Sequence, residues 1–367
     1  MRTLLISGIY RPEIGGPATY VPALAQQLLS NQVPVEVITL KNSGAHTLIE
    51  PWKVSYINRD QFLFIRMIKT FITILRKAKL NEVIFANGLF QETALVLALV
   101  TRKSVAKIVG DPVWERAFNK SETTKSIVDF NKEKLRCKHK IQRVFLRWSL
   151  NRFDHITCPS LELKEFITKW GVNRPIYFIP NGVEDTQRRQ VETEYDLISV
   201  CRLVKWKNLD KLIIANADSK TKLAIVGDGP EEDNLKQIAS SVNSNVAFLG
   251  KLTTAQVIDN LFKSKIFVLV SDYEGLSFSL LQAMACGLPS IVSNIQGNTD
   301  VIVDNQDGLI VNLKEDFALA QSIQGLVNDP EKLHKFGNSA LNKVRNEYSQ
   351  VNQISKMINL FYSKLTE

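Results

Sequence analysis

The sequence predicts an α/β protein of two parallel-sheet, Rossmann-like domains, and three stretches carry that expectation. Residues 266–293, IFVLVSDYEGLSFSLLQAMACGLPSIVS, read as strand, helix, strand. Residues 266–270 form a continuous apolar run rich in β-branched side chains, the mark of a strand covered on both faces. Ser277 is placed to cap a helix from Phe278 to about Cys286; Gly287 ends it, Pro289 blocks its resumption, and 290–293 return as a strand. Such a unit is a right-handed parallel crossover. The same order opens the chain, with a strand at 3–7, the double glycine Gly15-Gly16, a helix at 18–29 and a strand at 33–40. It restarts at 196–200, after a polar linker at 183–194. These breaks divide the chain into 1–182, 183–347 and a helical tail at 348–367.

Length and composition allow this. The chain has 367 residues, enough for two cores, and 45% hydrophobic against 23% charged residues is ordinary globular usage. Cys137, Cys158, Cys201 and Cys286 show no paired spacing, so free thiols in a reducing compartment are expected, without a disulfide frame or zinc site. The opening run is too short for a signal peptide, and no apolar run is long enough to span a bilayer. A cytoplasmic protein, peripheral at most at the inner face of the membrane, is expected. Residues 1–182 carry 27 Lys+Arg and 14 Asp+Glu, a balance of +13; residues 183–367 carry 19 and 23, a balance of −4. The basic first half is expected to face a polyanion: a membrane surface, a lipid pyrophosphate or nucleic acid.

In the first half, residues 59–79 are a basic amphipathic helix with Leu63, Met67, Phe71 and Ile74 near one face. The helix packs that face on the sheet or docks on anionic lipid, and both hold if Phe62 and Phe64 project outward. Strands follow at 82–87 and 105–110. Asp111 ends the second of these and either caps the next helix, with Pro112 at its first position, or serves the chemistry at the strand end. Residues 119–140 read as a mobile polar insertion. Residues 132–152 hold eight Lys+Arg against Glu133 alone, with Trp148 beside Arg143, Arg147 and Arg152, which is a solvated face or an interfacial helix. A strand at 155–159, a helix at 161–170 and a strand at 176–179 lead to PNGVE at 180–184. In the second half, strands are expected at 196–200, 222–226, 246–249 and 308–311, with helices after GDGP and at 315–327. The tail from 348 to 365 is amphipathic.

The central segment resembles the donor-binding stretch of glycosyltransferase family 4, whose pattern is Glu, seven residues, Glu, then Ala-Met-Ala-x-Gly-x-Pro. Here it stands as Glu274, GLSFSLL, Gln282, AMACGLP, with Gln282 where the family usually has a second glutamate. The double glycine, PNGVE, the Arg202–Lys207 pair and GDGP follow the family's order, with Asn208 replacing the glycine after the lysine. The resemblance implies a GT-B fold: two Rossmann-like domains facing across a cleft, with the C-terminal helix returning to the first. It implies retaining transfer of a sugar from a nucleotide diphosphate sugar to a hydroxyl of a glycan or lipid-linked acceptor, without nucleic acid as partner. Arg202 and Lys207 would clamp the diphosphate, Glu274 would hold the transferred sugar and Gln282 the ribose. Gly275, Leu276 and Ser277 would present the helix N-terminus, Gly250 would offer backbone to the nucleobase, and Gly15 and Gly16 would lie under the diphosphate. Asp111 joins the catalytic candidates. GDGP reads as a structural turn. No Asp-x-Asp triad is present, so no cofactor and no catalytic metal are expected. A weakly active glycan- or partner-binding protein, motivated by Gln282, and an epimerase or phosphorylase on the same architecture remain open.

Overall fold

The structure is a computed structural model that describes residues 2–13, 15–44, 46–187, 189 and 191–362. It divides into two compact units: one runs to Pro180 and takes in the chain again from Val351, and the other is Asn181–Gln350.

The first unit is β1 (Thr3–Ser7), α1 (Gly16–Ser30), β2 (Val35–Lys41), β3 (Lys53–Asn58), α2 (Leu63–Ala78), β4 (Val83–Asn87), α3 (Phe90–Leu97), β5 (Lys103–Lys107), α4 (Pro112–Asn119), α5 (Ile127–Lys132), α6 (Cys137–Leu150), β6 (His155–Cys158), α7 (Leu161–Lys169) and β7 (Ile176–Phe178). The second is β8 (Tyr195–Val200), α8 (Leu209–Ser219), β9 (Leu223–Val226), α9 (Glu232–Ser241), β10 (Val246–Gly250), α10 (Thr254–Phe262), β11 (Ser264–Leu269), α11 (Phe278–Ala285), β12 (Ser290–Ser293), α12 (Gln296–Thr299), β13 (Gly308–Val311), α13 (Ala318–Val327) and α14 (Pro330–Glu347). α15 (Gln350–Tyr362) follows and belongs almost wholly to the first unit.

Both sheets are parallel. Their orders are β3-β2-β1-β4-β5-β6-β7 and β10-β9-β8-β11-β12-β13. In each, the order reverses beside the unit's first strand, at β1/β4 and β8/β11. Loops leaving two such strands diverge and open a crevice at the carboxyl edge. β1, β4, β6, β9 and β12 are buried along their whole length, which is why they read as unbroken apolar runs. On the tail helix, Phe361 is buried and its ring centroid lies 6.0 Å from that of Phe85 on β4. The expected end of this helix, at Lys364 and Leu365, lies outside the described residues.

Two expectations are corrected. Of the α2 face drawn through Leu63, Met67, Phe71 and Ile74 only Ile74 is buried: Leu63 is 56% exposed, and the buried residues of the helix are Thr70, Ile74 and Ala78. The helix rests on a narrow i, i+4, i+8 line of mostly small side chains, which a hydrophobic count passes over. Residues 119–140 are not a structureless insertion. They contain α5, with Ile127 and Phe130 buried, and Trp114 Nε1 donates to the Lys125 carbonyl at 3.0 Å. A six-residue helix shows no periodicity in sequence.

Candidate active site

The second unit gathers most of the candidates at its switch point. β8 runs into Arg202 and a 3-10 turn, Lys205–Lys207; β11 runs into the loop bearing Glu274. These two strands are hydrogen-bonded neighbours, so Lys207 and Glu274, 67 residues apart in sequence, form an ion pair through Nζ and Oε1. Both side chains are largely buried, and Ser271 Oγ donates to the same oxygen at 2.7 Å. Arg202, two residues past β8 and before the turn that carries Lys207, is exposed. Gln282 lies in the second turn of α11 and is partly exposed. Ser277 caps that helix, its hydroxyl accepting from Leu280 N at 3.3 Å. The free N–H groups of the first turn favour an anion there. Gly275 and Leu276 complete the loop, and both are buried.

The braces around this loop were not legible as functional residues. Asn208 has φ +50°, a backbone state that glycine adopts freely and asparagine tolerates, which accounts for its place where the resembled family has glycine. Its amide donates to the Val270 carbonyl at 2.9 Å and to Asp272 Oδ1 at 2.7 Å, tying the lysine turn to the glutamate loop. Asn181, in the Pro-Asn-Gly turn, donates to the Leu276 carbonyl at 2.9 Å. Gly297 packs so tightly under the loop that a Cβ there would lie 1.9 Å from the Glu274 carbonyl oxygen. Ser293 Oγ donates to the Ser271 carbonyl at 2.6 Å, and Asn298 in turn donates to Ser293. Asn181 and Asn208 stand in strings the sequence shows, but the contacts that make them, Gly297 and Ser293 braces of this loop lie 22 to 95 residues away along the chain.

The GDGP turn is a brace as well. A Cβ on Gly227 would lie 1.9 Å from the Cys201 carbonyl oxygen, and one on Gly229 would lie 2.3 Å from that of Leu203. Leu203 N donates to the Asp228 carbonyl at 2.9 Å, so the turn fixes the backbone that presents Arg202. Burial pushes the Cys201 thiol up to about 11, so this neighbour of the lysine stays protonated near neutrality. Gly250 ends β10 in a left-handed conformation, φ +63°, with open space where a side chain would stand.

Gly15, Gly16 and Asp111 lie in the first unit. Gly15 is the N-cap of α1, and a Cβ there would meet Ile9 Cδ1 at 2.6 Å. The loop before it is tied by Arg59, which donates to Glu13 at 2.6 and 2.9 Å and to the Gly8 carbonyl at 2.8 Å. Arg11 forms a bidentate pair with Glu50. Asp111 caps α4, which is the capping reading of this residue. Its side chain is fully buried; Oδ1 accepts from Val113 N at 2.9 Å and Trp114 N at 3.3 Å. Oδ2 accepts from Asn131 at 3.0 Å and Arg143 at 2.5 Å. Arg143 is correspondingly buried, stacked 4.1 Å from the Trp170 ring, and so leaves the set of interfacial cations expected on 132–152.

Two family models match the chain. "Glycosyltransferase Family 4" covers residues 14–187 and "Glycosyl transferases group 1" covers residues 183–343. Among curated relatives, a GDP-mannose-dependent monoacylated alpha-(1-6)-phosphatidylinositol monomannoside mannosyltransferase of Corynebacterium glutamicum is 22% identical over 99% of this chain and 98% of its own length. A poly(ribitol-phosphate) alpha-N-acetylglucosaminyltransferase of Staphylococcus aureus is 30% identical over 51% of this chain and 40% of its own. An uncharacterised glycosyltransferase of Methanocaldococcus jannaschii, MJ1069, is 26% identical over 57% and 58%. The match thus spans about half the length of these last two relatives. Sucrose-phosphate synthase from Thermosynechococcus elongatus superposes with a TM-score of 0.81 at 18% identity, covering 98% of each chain. Anabaena Alr3699/HepE in complex with UDP and glucose gives 0.79 at 16% identity, covering 99% of each.

Proposed function

This chain belongs to glycosyltransferase family 4 and has its GT-B fold, and from that premise we propose that it is a retaining enzyme using a nucleoside diphosphate sugar. The acceptor is a hydroxyl of a glycan or lipid-linked glycan, of the kind named for the corynebacterial and staphylococcal relatives. The observation that carries the reading is the meeting of Lys207 and Glu274 at the β8/β11 switch point, in the loop that leads into the N-terminus of α11, with Arg202 exposed on the β8 side.

The anomeric carbon–oxygen bond breaks and its electron pair leaves on the diphosphate. The acceptor oxygen bonds to the same carbon on the same face, and its proton passes to the departing diphosphate. Negative charge grows on the diphosphate as the bond breaks, so preorganised cations and N–H groups lower the barrier. Arg202, Lys207 and the first turn of α11 supply them, without a resident metal. Glu274, held by Ser271 and Lys207, orients the sugar hydroxyls. Gln282 binds the ribose diol through its amide. Gly250 leaves room for the base. The outward apolar surface of that unit, described below, suits an acceptor held at a membrane.

A panel of UDP and GDP sugars tests this reading. One of them raises the melting temperature of the protein, by mass action on the folded state, and is turned over. Arg202→Ala reduces turnover by tenfold or more, on the order of 1.4 kcal/mol, with the melting temperature nearly unchanged; Lys207→Ala reduces turnover likewise but also lowers the melting temperature, because it leaves the largely buried Glu274 without its cation. Parent turnover in both variants removes the pair from the mechanism.

A further inference from the structure

α3 packs between α2 and α6 on one face of the first unit's sheet. The outer surface of this three-helix layer is apolar. Phe62, Phe64, Ile65 and Ile68 are 75%, 66%, 49% and 44% exposed; Leu99, just past α3, is 64% exposed and Phe145 of α6 59%. Because α2 rests on Thr70, Ile74 and Ala78, the isoleucines stand on its opposite side. α2 is a basic amphipathic helix, and an exposed apolar strip flanked by cations is the pattern of a helix lying at a lipid interface.

The charge on this layer has one sign. Lys69, Arg76, Lys140 and Arg147 are exposed on α2 and α6. The sequences of α2 and α6 contain no acid, and the acid of α3, Glu92, is buried, with its carboxyl pushed above the usual range by desolvation. A second copy of the chain is a poor occupant, since a two-fold contact sets these cations against their own images. An anionic bilayer matches both features: phosphate groups meet the cations, and aromatic and aliphatic side chains enter the boundary between headgroups and acyl chains.

We propose that the outer face of α2, α3 and α6 docks on an anionic lipid surface, with Phe62, Phe64 and Ile68 inserted and Lys69, Arg76, Lys140 and Arg147 at the phosphate level. The proposal rests on the reading of the acceptor as lipid-linked, and it adds which surface meets the membrane. Buried Arg143 has no part in it, and α3, which no basic run in the sequence marks, contributes an apolar ridge.

Full-length protein is sedimented with vesicles of phosphatidylcholine alone and of phosphatidylcholine with phosphatidylglycerol. Binding requires the anionic lipid and weakens as salt rises. Lys69→Glu with Arg76→Glu weakens it at least roughly 25-fold, counting about fivefold for each cation near the surface. Phe62→Ser with Phe64→Ser and Ile68→Ser weakens it several-fold and leaves the residual binding salt-sensitive. All these positions are exposed, and both variants turn over a short soluble acceptor at the parent rate, so a failed docking proposal is distinguishable from a failed transferase reading. The proposal is overturned by equal binding to neutral vesicles, by no binding to either kind, or by unchanged binding of both variants. It is also overturned if the parent sediments as a dimer that these substitutions dissociate.

Discussion

Asp111 separates a structural from a catalytic reading most sharply, because its burial fixes what its loss must do. In Asp111→Ala the buried guanidinium of Arg143 loses its carboxylate, and its Nη1, which has no hydrogen-bond partner among the described residues, gains none. Removing one partner of a buried pair costs about 3–5 kcal/mol. The same carboxylate caps α4, a loss of about 1 kcal/mol by itself. The two effects come from one group and overlap, so the expected total stays near 3–5 kcal/mol. Asp111→Ala with Arg143→Met removes the stranded charge along with its partner, and the loss should shrink to about 1–2 kcal/mol, chiefly the cap. Urea unfolding followed by tryptophan fluorescence reads this, since Trp114 and Trp170 both belong to the network; Trp170 Nε1 donates to Asn131 at 2.8 Å. The double variant should retain turnover once folded. An Asp111→Ala protein with the parent's unfolding midpoint and no turnover would refute the structural assignment and return Asp111 to the chemistry.

Three further outcomes are expected. Gln282→Glu should tighten the nucleotide sugar several-fold at similar turnover, since a charged acceptor adds about 1 kcal/mol over a neutral one; Gln282→Ala should weaken it, as titration calorimetry would show. Gly297→Ala must displace the Glu274 backbone, with a Cβ 1.9 Å from its carbonyl oxygen, and should reduce kcat on the order of a hundredfold; Gly325→Ala, with open space around it, should leave kcat unchanged. Lys107 is fully buried over the Tyr20 ring, and desolvation lowers it to about 7 against the ordinary 10.5. The unfolded chain then holds more protons between those values, so stability should rise with pH above 7, by at most about 1.4 kcal/mol per pH unit. Above the ordinary thiol value of 9.0 the sign reverses for Cys158, Cys201 and Cys286, whose thiols burial raises to about 12, 11 and 12. Melting temperatures between pH 7 and 9 should therefore climb in the parent, and Lys107→Met should flatten that climb; an equal slope in both proteins would rule Lys107 out as its source.

Sequence by itself determined what local physics encodes. Fully buried parallel strands show as apolar runs, and β1, β12 and β13 stand at the residues expected. Ser277, Ser160 and Asp111 cap the helices that follow them, because a cap reads only its own next turn. The ordered pattern from Glu274 to Pro289 was enough to name the family. Elements without such marks went unread: β3 is an edge strand with only Ile57 buried, and α5 is too short for a period. What only the tertiary structure decided are relations between distant residues. Hydrogen-bonding of β8 to β11 sets Lys207 against Glu274, and Asn208, Asn181 and Gly297 support that loop from segments far along the chain. Asp111 caps its helix as its local sequence allows, and the fold adds Arg143 and Asn131 at its second oxygen, contacts that no local pattern marks. Which side of α2 is buried was likewise settled by the narrow line on which it rests: a hydrophobic period fixes how many apolar faces a helix has, and only its neighbours determine which of them is covered.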